Sequence, residues 1–152
     1  MDQVYQSKIT SSSKQIATEH SLKMISDKGT NRKRILFVDD DADETAVIKM
    51  GLTRHGFEVV TFVEPKSALE NFQAGVYNLL LLDILMKGMD GFELYENLRK
   101  IDENVQICFI SASDSSYEKY KRLYPEFKNE CFIEKPITIK ELAARIDSIL
   151  GN

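Results

Sequence analysis

Leu79-Leu80-Leu81-Leu82-Asp83-Ile84-Leu85-Met86-Lys87-Gly88-Met89-Asp90-Gly91 runs from the most apolar stretch of the chain, through one aspartate, into a glycine-bearing turn. Consecutive leucines suit a strand buried on both faces. A carboxylate at the mouth of such a strand is costly to desolvate, so Asp83 needs a chemical reason to be there. Further apolar runs end in charge as well. Ile35-Leu36-Phe37-Val38 leads into Asp39-Asp40-Asp41, and Cys131-Phe132-Ile133-Glu134 leads into Lys135-Pro136. Strand ends that carry carboxylates and an ammonium suit a cation and a phosphoryl group.

Outward from these runs the pattern alternates. Short apolar segments at 35–38, 59–63, 79–82, 107–110 and 131–133 read as parallel strands. Helical patterns lie between and after them. The first covers 43–55, with Asp41 or Asp43 as N-cap and Gly56 as the stop. The second starts at Pro65, covers 67–72 and ends near Gly75. The third covers 91–100, with Leu94, Leu98 and Ile101 on one face. The fourth covers 115–123 and is closed by Pro125. The fifth covers 138–150, with Leu142, Ile146, Ile149 and Leu150 as a core stripe. Five strands alternating with five helices predict an α/β fold, a doubly wound parallel sheet. Ligand sites in such sheets lie at the carboxyl ends of the strands. Asp39, Asp40, Asp83, Ser111 and Lys135 all fall there.

The length of 152 residues bounds one folded domain. Residues 1–31 are polar and serine-rich, with few large apolar side chains. They predict a mobile tail, with a transient helix over 14–25 and a hinge at Gly29, Thr30 and Asn31. Residues 32–152 make the domain, and Arg32-Lys33-Arg34 reads as a solvated strand entrance. The net charge of −4 and pI near 5.3 argue against a nucleic-acid partner. No run approaches the roughly 18 apolar residues of a membrane span, and no apolar signal core opens the chain. Cys108 and Cys131 lie in apolar runs and read as buried, reduced thiols of a cytoplasmic protein.

Converging carboxylates repel one another, and a hard divalent cation such as magnesium is one ordinary solution. With that repulsion neutralised, the Asp83 carboxylate can act as a nucleophile on phosphorus. Lys135 would supply positive charge to the phosphoryl oxygens and the Ser111 hydroxyl a hydrogen bond.

On these residues the chain resembles the receiver domain of two-component response regulators. The likeness covers about 33–150. It rests on Ile35-Leu36-Phe37-Val38-Asp39-Asp40-Asp41, on 82–91, on Ile110-Ser111-Ala112 and on Glu134-Lys135-Pro136, in that order and spacing. The resemblance implies a flavodoxin-like sheet of strand order 2-1-3-4-5. It implies that Asp83 accepts phosphate from a sensor histidine kinase or phosphotransfer protein. Asp39, Asp40 and Asp83 would hold Mg2+ with the Leu85 carbonyl, and Lys135 would meet the phosphate before a cis bond to Pro136. Ser111 and Phe132 match the switch positions. Such a module is no enzyme beyond phosphorylating and dephosphorylating its own Asp83. It signals to a downstream protein, as a monomer or a phosphorylation-dependent dimer.

Departures from the family pattern are Lys87 where proline usually follows the methionine, Asn129-Glu130 before the last strand, and a fourth-helix region, 115–129, rich in Tyr117, Tyr120, Tyr124 and Phe127, which read as core packing or a covered loop ahead of a partner surface. With nothing after the fifth helix, the chain reads as a stand-alone receiver. Rival readings are a receiver-like binding module that is never phosphorylated, and a haloacid-dehalogenase-like phosphatase. The phosphatase would use Asp41-Ala42-Asp43-Glu44-Thr45 as its nucleophile motif.

Overall fold

The computed structural model describes residues 31–128 and 131–151. The tail, its transient helix and its hinge at Gly29 and Thr30 lie outside the described residues, as do Asn129 and Glu130. The strands are β1 (Arg34–Val38), β2 (Glu58–Phe62), β3 (Leu79–Asp83), β4 (Gln106–Ser111) and β5 (Phe132–Glu134). The helices are α1 (Ala42–Arg54), α2 (Pro65–Asn71), α3 (Gly91–Ile101), α4 (Asp114–Leu123) and α5 (Ile139–Leu150). The strands form one parallel sheet in the order β2-β1-β3-β4-β5.

Side chains alternate across the sheet, and both faces are covered. Ile35, Phe37, Leu79, Leu81, Cys108, Ile110 and Ile133 pack under α1 and α5, against Ile48, Leu52, Leu142 and Ile146. Leu36, Val38, Leu80, Leu82, Phe109 and Phe132 pack on the other face, against Ala68 of α2, Phe92, Leu94, Tyr95 and Leu98 of α3, and Tyr120 of α4. This is why the strands read as unbroken apolar runs. Each of the leucines 79–82 is fully buried, which stabilises the fold by about 2 kcal/mol apiece.

Local chemistry sets the helix starts. Asp41 caps α1, its carboxylate accepting from the N–H groups of Asp43 and Glu44. Thr138 and Glu141 close a full capping box on α5. Gly91 is required by packing: a Cβ there would run into the Asp83 carbonyl, so only glycine lets α3 start this close to the end of β3.

Several expectations need correction. Ile101 is exposed rather than on the core face of α3; Phe92 and Tyr95 join Leu94 and Leu98 there instead. Cys131 lies just before β5 and is only half-buried, whereas Cys108 is buried; both are free thiols. Arg34 is no solvated entrance. It is buried inside β1 with its guanidinium 2.7 Å from Glu58. The aromatics in and just after α4 follow the core reading: Tyr120 and Tyr124 are buried, and their rings meet Phe109, Phe132 and Phe127. Among the described residues no helix is long and apolar enough to cross a membrane.

Candidate functional site

The sheet brings the ends of β1, β3, β4 and β5 together. Asp39 follows β1, its N–H donating to the Phe62 carbonyl at 3.2 Å. Asp83 ends β3 opposite Ile110 of β4. Ser111 ends β4, and its carbonyl accepts from the Lys135 N–H at 2.9 Å. The Lys135-Pro136 peptide is cis, as the resemblance implied. Every residue expected at the site from strand-end position is therefore at one edge of the molecule.

Asp39, Asp40 and Asp83 offer carboxylate oxygens that all lie within 4.8 Å of one another. Asp39 and Asp83 are buried, at 1% and 6% exposure, and Asp40 is exposed. Asp40 also accepts from the Lys87 N–H at 3.2 Å, so the turn is tied to the site although it lacks the usual proline. Asp41 is spent on capping α1 and does not face the cluster as a nucleophile would. That removes the basis of the phosphatase reading.

Lys135 Nζ lies 3.1 Å from Asp39, 3.5 Å from Asp83 and 2.8 Å from Glu44. Burial opposes its charge, but the hydrogen bond to Glu44 and the charges of Asp83 and Asp39 outweigh this and hold its pKa above the ordinary lysine value. Burial also raises the Asp83 carboxyl, and the charge of Asp39 adds to it, so that its pKa reaches about 7 despite Lys135. A cation held beside Asp83 would lower this pKa and favour the anion that a nucleophile must be. Asp39, Asp40, Asp83 and Glu44 together exceed the one positive charge of Lys135. The oxygen donor set and the shortage of positive charge fit a hard divalent cation.

Glu44 was not among the residues expected here. It sits in the first turn of α1, where its sequence position reads as part of a helix start. Leu85 is exposed just past β3. Ser111 is buried, and its hydroxyl accepts from the Ser113 N–H at 3.2 Å. Phe132 is turned inward, its ring 5.1 Å from Tyr117 and 5.4 Å from Tyr120. It also lines a separate cleft of about 820 Å³ with Ser113, Tyr117, Glu134 and Arg145.

A doubly wound sheet with an aspartate cluster, a lysine and a hydroxyl at its carboxyl edge defines a class of phosphoryl-handling signalling modules. The response regulator receiver domain family matches residues 35–147, and the chain belongs to it. It is 35% identical over 124 residues to the transcriptional regulatory protein PrrA of Mycobacterium leprae, covering 82% of this chain and 52% of that protein. It is 29% identical over 118 residues to the alkaline phosphatase synthesis transcriptional regulatory protein PhoP of Bacillus subtilis, covering 78% of this chain and 48% of that one. The chain thus spans about half the length of these curated relatives. Among solved structures it resembles a CheY-like receiver domain protein from Methanospirillum hungatei, with TM-score 0.67 and 27% identity over 80% of this chain and 95% of that one. It also resembles the response regulator TrrA of Thermotoga maritima in complex with Mg2+ and BeF, with TM-score 0.64 and 25% identity over 77% and 98% of the two chains.

Proposed function

We propose that this receiver accepts a phosphoryl group on Asp83 from a histidine kinase or a phosphotransfer protein, and passes the signal on by protein contact. The observation that carries this is the pairing of a desolvated Asp83 with Lys135 inside a cluster of further carboxylates. Asp39, Asp40 and Asp83 would hold Mg2+, with the Leu85 carbonyl as a further ligand. When bound, the ion supplies positive charge to the phosphoryl oxygens.

The protein's own groups do the rest. An Asp83 oxygen attacks phosphorus and forms the acyl phosphate. The phosphorus–nitrogen bond of a phosphohistidine donor breaks, and its electron pair stays on the imidazole. Lys135 follows the growing charge on the phosphoryl oxygens, and the Ser111 hydroxyl leaves Ser113 to donate to one of them. Phe132 borders Ser111's strand, so this movement biases whether its ring stays against Tyr117 and Tyr120. The 820 Å³ cleft beside it is where a partner would feel that change.

Intact mass after incubation with acetyl phosphate and Mg2+ tests the proposal. Wild type should gain one phosphoryl group and lose the gain in EDTA, and Asp83→Asn should gain none. An unlabelled wild type would leave a receiver that works by constitutive contacts.

A further inference from the structure

Asp41-Ala42-Asp43-Glu44 opens α1, and Thr138-Ile139-Lys140-Glu141 opens α5. A capping residue with glutamate three positions on normally forms a capping box, in which the glutamate returns to the N-cap amide. α5 does this. Glu141 N–H donates to Thr138 Oγ1, and Thr138 N–H donates to Glu141 Oε2, both at 3.1 Å. α1 completes only half of the pattern. Asp41 Oδ1 accepts from Glu44 N–H at 3.1 Å, but the Asp41 N–H goes to Asp39 Oδ1 at 2.9 Å. With its amide partner taken, the Glu44 carboxylate turns to Lys135.

The Glu44–Lys135 contact, at 2.8 Å, is the shortest of those Lys135 Nζ makes to carboxylates, against 3.1 Å to Asp39 and 3.5 Å to Asp83. Charge-assisted N–H···O bonds are strongest at about 2.7–2.9 Å. So the lysine's best bond goes to a carboxylate outside the aspartate cluster. An ammonium has three hydrogens to give, and carboxylates from Glu44, Asp39 and Asp83 already compete for them. A phosphoryl group on Asp83 must take a share. Glu44 also adds negative charge beside the incoming group.

We infer that Glu44 is a positioning residue that competes with the phosphoryl group for Lys135, and so lowers the occupancy of the phosphorylated state at a given donor concentration. This rests on the function proposed above. Glu44 acts through the lysine and touches no reacting atom.

The test uses the full chain with trifluoroberyllate, a mimic of the acyl phosphate, at saturating Mg2+. Glu44→Gln should bind the mimic about fivefold more tightly than wild type, the size expected for one partly exposed charge pair. The ¹⁹F resonance of the fluorine that accepts a hydrogen bond from Lys135 should shift in the same variant. Glu44→Asp keeps the charge but withdraws it by one methylene, and should fall between the two. A glutamate that merely stabilised α1 would leave that resonance in place and would not tighten binding. Equal or weaker binding in Glu44→Gln, or an unmoved resonance, overturns the inference. A wild type that binds no trifluoroberyllate overturns the phosphoacceptor reading itself, and the inference with it. The side-chain ammonium signal of Lys135 gives a check without the mimic: it should move in Glu44→Gln, and an unchanged signal refutes the tether.

Discussion

At the amino-terminal edge of the sheet, Arg34 meets Glu58 at 2.7 Å, its N–H donates to the Asn78 side-chain Oδ1 at 2.7 Å, and its carbonyl accepts from the Asn78 N–H at 2.8 Å. At the carboxyl edge, Lys135 faces Glu44, Asp39 and Asp83 at once. Both edges bury charge. The first sets Arg34 against Glu58 and holds β1, β2 and the entry to β3 in register. Its neighbour Tyr77 is a half-buried phenol, raised to about 12 by burial although Arg34 pulls the other way. The second leaves anions in excess; burial first, and the charge of Asp39 after it, raise Asp83 to about 7, and the excess invites a cation. A matched buried pair serves the fold, while a mismatched cluster stores unfavourable electrostatics that a ligand relieves.

The contrast can be broken from either side. Lys135→Ala takes the shared cation from the mismatched edge and should slow Asp83 labelling by acetyl phosphate about 100-fold or more, followed by intact mass over time. Its circular dichroism should match wild type. Glu58→Ala does the reverse: Arg34 is left buried and unpaired, at a cost of about 3 kcal/mol in urea unfolding. Labelling of its folded form should be unchanged, and a labelling defect there would erase the distinction between the edges.

Magnesium sharpens it. At a concentration 100 times its dissociation constant the ion should stabilise wild type by about 2.7 kcal/mol, and Asp39→Asn should lose most of that gain in thermal unfolding. In EDTA the Asp83 pKa sets a pH dependence of definite sign. Its folded value near 7 lies above the unfolded carboxylate value, so the folded state holds the proton more tightly. Stability should be highest below about pH 4 as far as this group is concerned, and should fall as pH rises to about 7. Asp83→Asn should flatten that fall and be about 1–2 kcal/mol more stable than wild type at pH 8. The smallest effect belongs to Thr138→Ala, which breaks a satisfied box at the start of α5 and should cost about 1 kcal/mol with no change in labelling. Thr138 follows β5 at the chemical edge, so a silent result in labelling would mean that charge balance, and not location, separates structure from chemistry.

Strand-end residues were legible in the sequence because apolar runs announce where a strand stops. Asp39, Asp83, Ser111 and Lys135 each follow or end such a run. Glu44 was not legible. Its spacing from Asp41 is that of a helix start, and only the bond from Asp41 N–H to Asp39 frees it for Lys135. Arg34 was misjudged for a related reason. A basic triplet looks solvated until Glu58, 24 residues on, is brought beside its last member. Ile101 fits the apolar spacing of α3 but lies at its end, beyond the reach of the sheet. The tyrosines in and just after α4 read as core or covered loop despite their polar tips, and Tyr120 and Tyr124 are buried. Tyr120 satisfies its hydroxyl on the Lys128 carbonyl and Tyr124 on Glu96, which lets both rings enter the core.

The aromatic layer under α4 has an optical consequence. The chain has no tryptophan and only 6 tyrosines. Tyr95, Tyr117, Tyr120 and Tyr124 lie on or beside the two helices flanking Phe109, and Phe132 packs into the same group with its ring tilted. Near-ultraviolet circular dichroism depends on fixed aromatic packing, so in this protein it is dominated by one patch of the core. An outward turn of Phe132 would alter the surroundings of Tyr117 and Tyr120 directly. The molecule therefore carries its own chromophore at the place where a phosphorylation signal would emerge, with no label to attach.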